Sequence, residues 1–598
     1  MTTIRACLAA ALTALPLLAS AQAPTPAPSP APTPDVAIQW GVRVPMRDGV
    51  ELNATLYRAA GDDTAKPCVF TLTPYIAQNY HDRGMYFASH GYRFLSIDVR
   101  GRGNSQGEFT PLLQEARDGH DAVEWLAKQP FCNGKVAMWG GSYAGYDQWA
   151  TAKEFPPHLA TIVPVASPYA GVDFPMARNM FYAYDVQWLT LVAGHAAQDK
   201  LFGDDRLWTS VFKRLYLGHL PFAQLDTLAG VPSKHFQSWI AHPEPDAYWD
   251  AYNPTTAQYA KLDLPILTIT GQYDGDQAGA FAHYRNHFAH GSDAAKQRHY
   301  LVIGPWDHAG TRTPQAEFAG LKFGPASLLD LNDLHRQWYD WTMKAGAKPE
   351  FLKAPVAWYL AGAEEWRYAP TLEAITSDRL AMNLDSHGEA NDVYTSGTLG
   401  ALRASESAFD RYVYDPMDVG PAALADGSDA PGLTDQRSAL LNRGRSLVYH
   451  SAPFERDTDI AGFFRFTAFI AIDQPDTDFD VQVWEVRKDG SAIALAGDRM
   501  RARYREGERA PKLAAPGAIE RYEFDRFNFS ARRIAAGSRL RLVVGPINTP
   551  FDQKNYNSGG VVAQETAKDA RTVNVTLYHD SEHQSVLSVP VAAESSVK

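Results

Sequence analysis

The run Met138-Trp139-Gly140-Gly141-Ser142-Tyr143-Ala144-Gly145 sets a serine among small residues directly after an apolar segment. A serine hydroxyl is a poor nucleophile at neutral pH. It becomes reactive when a sharp strand-to-helix turn holds it where a histidine can reach it and backbone N–H groups can face the reacting carbonyl. Gly140, Ala144 and Gly145 are small enough for such a turn, with residues 134–139 reading as the strand before it and 146–153 as the helix after it. Two later segments offer partners. Residues 264–270 are a continuous apolar and β-branched run, as expected of a buried parallel strand, and Asp274 follows them. Residues 299–304 are another, and His308 follows. Each candidate has a plainer alternative: an ordinary serine in a glycine-rich turn, a turn aspartate before glycine, a loop histidine. Three placements just past the carboxyl ends of strands, where open α/β sheets bind ligands, argue jointly for a catalytic set.

The chain order Ser142, Asp274, His308 is that of the α/β-hydrolases and differs from the chymotrypsin and subtilisin orders. In such a set His308 takes the serine proton as Ser142 attacks a carbonyl and later gives it to the leaving group. Asp274 holds the imidazole tautomer and stabilises its cation.

Further motifs widen the comparison. Gly-x-Ser-Tyr-x-Gly at 140–145, Asp-Val-Arg-Gly-x-Gly at 98–103 followed by Ser105-Gln106-Gly107-Glu108-Phe109, Tyr273-Asp274, Gly-Pro-Trp-x-His at 304–308 and Thr73-Pro74-Tyr75 all stand in this sequence. Together they resemble the signatures of the family containing cocaine esterase, α-amino-acid ester hydrolases, glutaryl cephalosporin acylases and X-Pro dipeptidyl-peptidases. The resemblance implies that the Tyr75 hydroxyl and the backbone N–H of Tyr143 stabilise the oxyanion. It extends to the C-terminal region, where residues 475–486 and 501–506 resemble the family's β-sandwich. Asp276, Trp306 and Tyr146 are the substrate-pocket candidates. One departure concerns the acids that hold a substrate ammonium in the α-amino-acid ester hydrolases: Asp276 fills the first place, but Gln277 stands in the second, and Ala177-Arg178-Asn179 supply no third. A single carboxylate beside an arginine makes a weak ammonium site, which argues against α-amino-ester specificity.

Several elements must position these residues. With 598 residues the chain is too long for one ordinary core. Residues 1–21 read as a cleavable signal peptide: Arg5, an apolar stretch over 6–18, then Ala19-Ser20-Ala21. The stretch is short of the ~20 residues that span a bilayer, so no stable membrane anchor is expected. Residues 22–35 are a proline-rich spacer. Residues 36–174 and 262–347 are expected to form the α/β-hydrolase domain, with strands at 69–72, 93–99 and 135–139 and helices at 112–128 and 327–345. Residues 175–261, dense in aromatics such as Phe181, Trp188 and Trp208, are expected to form a helical cap. From 348 to 598 short alternating strands imply an all-β sandwich, jelly-roll-like by resemblance.

Export makes a bond between Cys68 and Cys132 chemically available, and two free buried thiols are an equal alternative. The net charge of −12, without a basic run, excludes nucleic acid as a partner. His283 and His287 have the i, i+4 spacing of metal ligands but lack a third ligand nearby; a solvated helix face is expected. Residues 101–107 lack the Walker lysine and the dinucleotide glycine spacing, and read as a structural turn. No metal and no cofactor is expected.

The sequence therefore describes a periplasmic or secreted, cofactor-independent serine hydrolase that cleaves a small ester, amide or short peptide through an acyl-enzyme. X-Pro dipeptidyl-peptidase and α-amino-acid ester hydrolase activities are the alternatives. A non-catalytic protein binding through its β-sandwich is the reading from another class. The composition leaves a homo-oligomer open.

Overall fold

The computed structural model describes residues 35–388, 390–401, 408–424, 432–441 and 444–597. The segment expected to be a signal peptide and most of the proline-rich stretch lie outside the described residues.

The first sheet has ten strands: β1 (Val36–Pro45), β2 (Glu51–Ala59), β3 (Lys66–Thr73), β4 (Arg93–Asp98), β5 (Cys132–Gly141), β6 (Leu159–Val165), β7 (Ile266–Tyr273), β8 (His299–Asp307), β9 (Val356–Leu360) and β10 (Glu365–Ala369). They lie in the order β1-β2-β4-β3-β5-β6-β7-β8-β9-β10. Contiguous pairs from β4 to β9 are parallel, and the pairings at both edges are antiparallel. The central strands are continuous apolar runs because helices cover both faces. On one side pack α1 (His81–Ser89) and, late in the chain, the helix Leu331–Lys344; on the other pack α2 (Glu115–Ala127) and α3 (Tyr143–Ala152). The sheet does not end at the expected boundary near residue 348. β9 continues it in parallel with β8 and β10 folds back on β9, because Val356–Leu360 is itself a fully buried apolar run that completes the sheet edge.

Between β6 and β7 the chain leaves the sheet and builds a cap. Its main helices are α4 (Tyr184–Leu191), α5 (Asp205–Leu217) and α6 (Lys234–Ile240), with one short hairpin pairing Met176–Ala177 with Met180–Phe181. Asp204 and Ser233 cap α5 and α6 by accepting from the Leu207 and Phe236 N–H groups. Trp188, Trp208, Phe212, Phe236 and Trp239 form one apolar cluster with Tyr143 and Tyr146 of α3, so the cap is seated directly over the carboxyl end of β5.

The C-terminal domain contains thirteen strands among the described residues, antiparallel except where Gly397–Gly400 runs parallel to Leu447–Ser451. Its core holds Phe466, Phe479, Val481, Tyr522, Phe524, Leu542, Val575 and Leu587. Alternation through the first six residues of Arg465–Ile472 turns Phe466, Ala468 and Ile470 inward and leaves Arg465, Thr467 and Phe469 half-buried or exposed. The two domains are joined by backbone: the Arg533 N–H donates to the Ala361 carbonyl at 2.8 Å and the Ala361 N–H to the Ala531 carbonyl at 3.2 Å.

Cys68 on β3 and Cys132 on β5 form a disulfide, with Cα atoms 5.8 Å apart on neighbouring strands. His283 and His287 do not lie on a solvated face. Their helix, α7 (Gln277–His290), turns one face inward, and both histidines are buried on that face. His283 meets the Tyr259 hydroxyl at 2.7 Å and stacks on Trp149, while His287 Nδ1 lies 3.0 Å from His299 Nδ1.

Candidate active site

β5 ends and α3 begins at one residue, Ser142, whose backbone takes φ 61° and ψ −127°. This is a sparsely populated conformation for a residue with a side chain. It persists because the surroundings fix it: the Ser142 N–H donates to the Val165 carbonyl at 2.9 Å, and the Ser142 carbonyl accepts from Gly145 and Tyr146. A Cβ on Gly145 would come within 2.5 Å of the Val165 carbonyl oxygen, and one on Gly140 within 2.5 Å of the Ala144 Cβ. The small residues of the motif are therefore required by close approach. Ser142 is left half-buried, ahead of a helix whose first N–H groups have no intrahelical acceptor.

Asp274 lies just past β7 and His308 just past β8, and the neighbouring register of these strands brings them together. His308 Nδ1 donates to Asp274 Oδ1 at 2.7 Å. The proton belongs on Nδ1 because its partners are carboxylates, which leaves Nε2 as an acceptor. Asp274 Oδ1 also accepts from the Asp276 N–H at 3.0 Å and Oδ2 from the Thr270 hydroxyl at 3.4 Å. Asp276 Oδ2 stands 3.8 Å from His308 Nδ1. Burial pulls the His308 pKa down, but the two carboxylates outweigh it and the net shift is upward. Burial raises the Asp276 carboxyl well above its ordinary value, against the pull of the His308 cation.

Tyr75 follows β3. Its hydroxyl accepts a hydrogen bond from Trp188 Nε1 at 3.0 Å, which leaves its own proton to be donated, and the Ser142 side chain is within its reach. Burial raises the phenol's pKa, so it remains a donor throughout the physiological range. Tyr143 stacks on Trp188 and meets the Tyr75 ring edge-on. Its hydroxyl accepts from the Leu112 N–H at 2.6 Å and donates to Glu115, whose carboxyl burial holds up at about 7. A serine oxygen, an imidazole acceptor backed by a carboxylate, and a phenol aimed at the serine can support nucleophilic attack on a carbonyl and hold the resulting oxyanion.

The catalytic and C-terminal halves match two models of one family: X-Pro dipeptidyl-peptidase (S15 family) over residues 48–310 and the X-Pro dipeptidyl-peptidase C-terminal non-catalytic domain over 351–588. The chain belongs to this family of α/β-hydrolases, which includes cocaine esterase. It is a serine hydrolase. The cocaine esterase of Rhodococcus sp. (strain MB1 Bresler) is 26% identical over 575 residues, spanning 92% of this chain and 98% of that protein. An aminopeptidase from a marine sediment Thaumarchaeota archaeon superposes with a TM-score of 0.80 at 22% identity, over 96% of this chain and 99% of its own. An α-amino acid ester hydrolase does so with the same TM-score and identity, over 95% and 98%. At these identities the superpositions establish the fold.

Within this S15-family site, two expected pocket residues are placed elsewhere. Trp306 is buried in the sheet core, its indole N–H donating to the Ser327 carbonyl at 2.9 Å and its ring packed near Trp366. Tyr146 is buried between α3 and the cap, its hydroxyl 2.6 Å from both the Leu112 and Tyr252 carbonyl oxygens. In each case a carbonyl from distant sequence satisfies the polar tip, so neither faces a substrate. Asp276 does border the site. Gln277 does not: its amide donates to the Gly271, Gln272 and Phe529 carbonyls and accepts from the Phe529 N–H at 2.6 Å. Arg178 also turns away, pairing with Glu508 at 2.6 Å and Asp498 at 3.5 Å in the C-terminal domain. Trp188 and Glu115 are the residues that sequence reasoning missed. One lies in an insertion and the other on a helix, and no spacing links either to Ser142.

Proposed function

We propose that the protein is an exported esterase or amidase that works through an acyl-enzyme on Ser142, with Asp274 and His308 completing the triad. Ser142 Oγ attacks the scissile carbonyl carbon while His308 Nε2 takes its proton. The electron pair displaced onto the carbonyl oxygen is held by the Tyr75 hydroxyl and the Tyr143 N–H. Collapse of this oxyanion breaks the bond to the leaving group, which departs with the proton from His308. Water activated by the same imidazole then releases the acid. The observation that carries this reading is the 2.7 Å His308–Asp274 pair together with a serine held at positive φ. The N-terminal pattern and a disulfide, a bond that persists in oxidising compartments, support export.

Peptide cleavage from a free amino terminus is disfavoured, because Gln277 and Arg178 are committed to contacts within the protein. A fluorophosphonate probe should label the wild type and fail to label Ser142→Ala. The variant should remain folded and lose ester turnover by ~10³-fold or more. Turnover near that of the wild type in Ser142→Ala would remove the assignment.

A further inference from the structure

We propose that Arg312 is a specificity-determining residue whose guanidinium receives a carboxylate carried by the substrate. The enzyme then favours esters or amides that bear a second, anionic group a few bonds from the scissile carbonyl. The inference rests on the hydrolase reading and names its substrate class.

Position is the first ground. After β8 the chain makes a helical turn, with the Thr311 N–H donating to the Asp307 carbonyl and the Thr313 N–H to the Ala309 carbonyl, both at 3.1 Å. His308 and Arg312 stand four residues apart on that turn and therefore share a face. The turn is pinned by the Gly310 N–H on Asp307 Oδ1 and the Thr311 hydroxyl on the His308 carbonyl, each at 2.7 Å. Arg312 leans back over the serine turn: a Cβ on Gly141 would lie 2.6 Å from Nη1 and 2.7 Å from Cδ. Gly141 precedes Ser142, so bond lengths alone bring the guanidinium within about 10 Å of Ser142 Oγ.

Charge is the second ground. Arg312 Nη1 donates to the Thr311 hydroxyl at 3.2 Å, and no carboxylate of the described residues lies within 4.0 Å of the guanidinium, although the residue is half-buried. Arg83 adds a second cation. It bonds the Arg312 carbonyl at 3.3 Å, packs over Trp139, and likewise has no carboxylate within 4.0 Å among the described residues. Asp274 is committed to His308, and Asp276 Oδ2 stands 3.8 Å from the same imidazole. Arg312 thus stands beside the serine turn, with Arg83 behind it, and neither guanidinium has a carboxylate within 4.0 Å among the described residues. A substrate carboxylate would supply the planar, two-point partner for which guanidinium is suited.

The test uses two matched substrate pairs. One is the p-nitrophenyl half-ester of adipic acid against its terminal carboxamide, which puts the charge on the acyl group. The other is 4-carboxyphenyl acetate against 4-carbamoylphenyl acetate, which puts it on the leaving group. In the wild type the carboxylate should win in kcat/KM by about tenfold or more in one pair. The ratio should fall to near one in Arg312→Gln and be partly kept in Arg312→Lys. Because a ratio is read within each variant, any common effect on His308 cancels. Wild-type ratios near one in both pairs, or a preference that survives Arg312→Gln, overturn the proposal.

Calorimetric binding of adipate and of adipamide to Ser142→Ala reads the same preference without turnover. Adipate should bind more tightly, and the difference should vanish when Arg312→Gln is added; equal binding counts against the anion subsite. Failure of the hydrolase reading would appear separately, as absence of both ester cleavage and fluorophosphonate labelling in the wild type.

Discussion

Tyr75 can act on an oxyanion because Trp188 occupies its acceptor side: an oxygen already accepting from the indole N–H directs its own proton elsewhere, toward Ser142. Tyr75→Phe keeps the ring and removes this donor, so kcat should fall by ~10²–10³ with little change in KM. Trp188→Phe leaves the donor present but free to turn, and should cost about tenfold, the equivalent of one modest hydrogen bond. A large KM effect with unchanged kcat in Tyr75→Phe would make it a substrate contact instead. His308 gives a second, independent test. Its pKa stands above the ordinary histidine value because Asp274 and Asp276 outweigh burial. Attack needs the neutral imidazole, so the acid limb of kcat/KM reports this pKa. Asp276→Asn removes one of the two raising charges and should move that limb to lower pH. An unmoved limb, or one moved to higher pH, would show that Asp276 does not act on the imidazole.

At the scale of elements, the loop that carries Asp274 is held from both sides. Gln272 donates to the Tyr359 carbonyl at 2.5 Å and accepts from the Ala531 N–H, while Gln277 is tied to both groups of Phe529. A glutamate at 277 would turn carboxylate oxygens toward three carbonyls that now receive N–H groups. Gln277→Glu should therefore lose roughly 2 kcal/mol or more of stability and lower the midpoint of thermal unfolding. Calorimetric scanning checks this, and an unfolding curve like that of the wild type would mean the loop does not depend on the amide. The same contacts explain what could be read from the chain alone. Strands β3, β5, β7 and β8 announce themselves because a sheet covered on both faces needs unbroken apolar runs, and their ends mark Ser142, Asp274 and His308. Trp306, Tyr146, His283 and His287 mislead because a polar tip in sequence gives no sign of the distant carbonyl or hydroxyl that satisfies it. β9 and β10 were hidden because a short apolar strand reads alike in either domain.

At the scale of the whole molecule, specificity follows from how the three parts are joined. Two positions at which the sequence offers no acid for a substrate ammonium, Gln277 and Arg178, are used here as fasteners. Arg178, in the hairpin that opens the cap, crosses to Glu508 and Asp498, and Gln277 crosses to Phe529. Neither position leaves a negative charge facing Ser142. A free α-ammonium would meet only the Asp276 carboxyl, whose charged form burial disfavours and which already stands 3.8 Å from His308 Nδ1, and would pay its desolvation with little compensation. A free aminoacyl ester should then gain little over its N-acylated and des-amino counterparts. kcat/KM measured for such a trio, with one leaving group throughout, decides the matter. A free amine favoured by more than about a hundredfold, or ~2.7 kcal/mol of transition-state discrimination, would require an anionic group at the cleft. The buried carboxyls of Asp173 and Asp185 would then be the first to replace with asparagine.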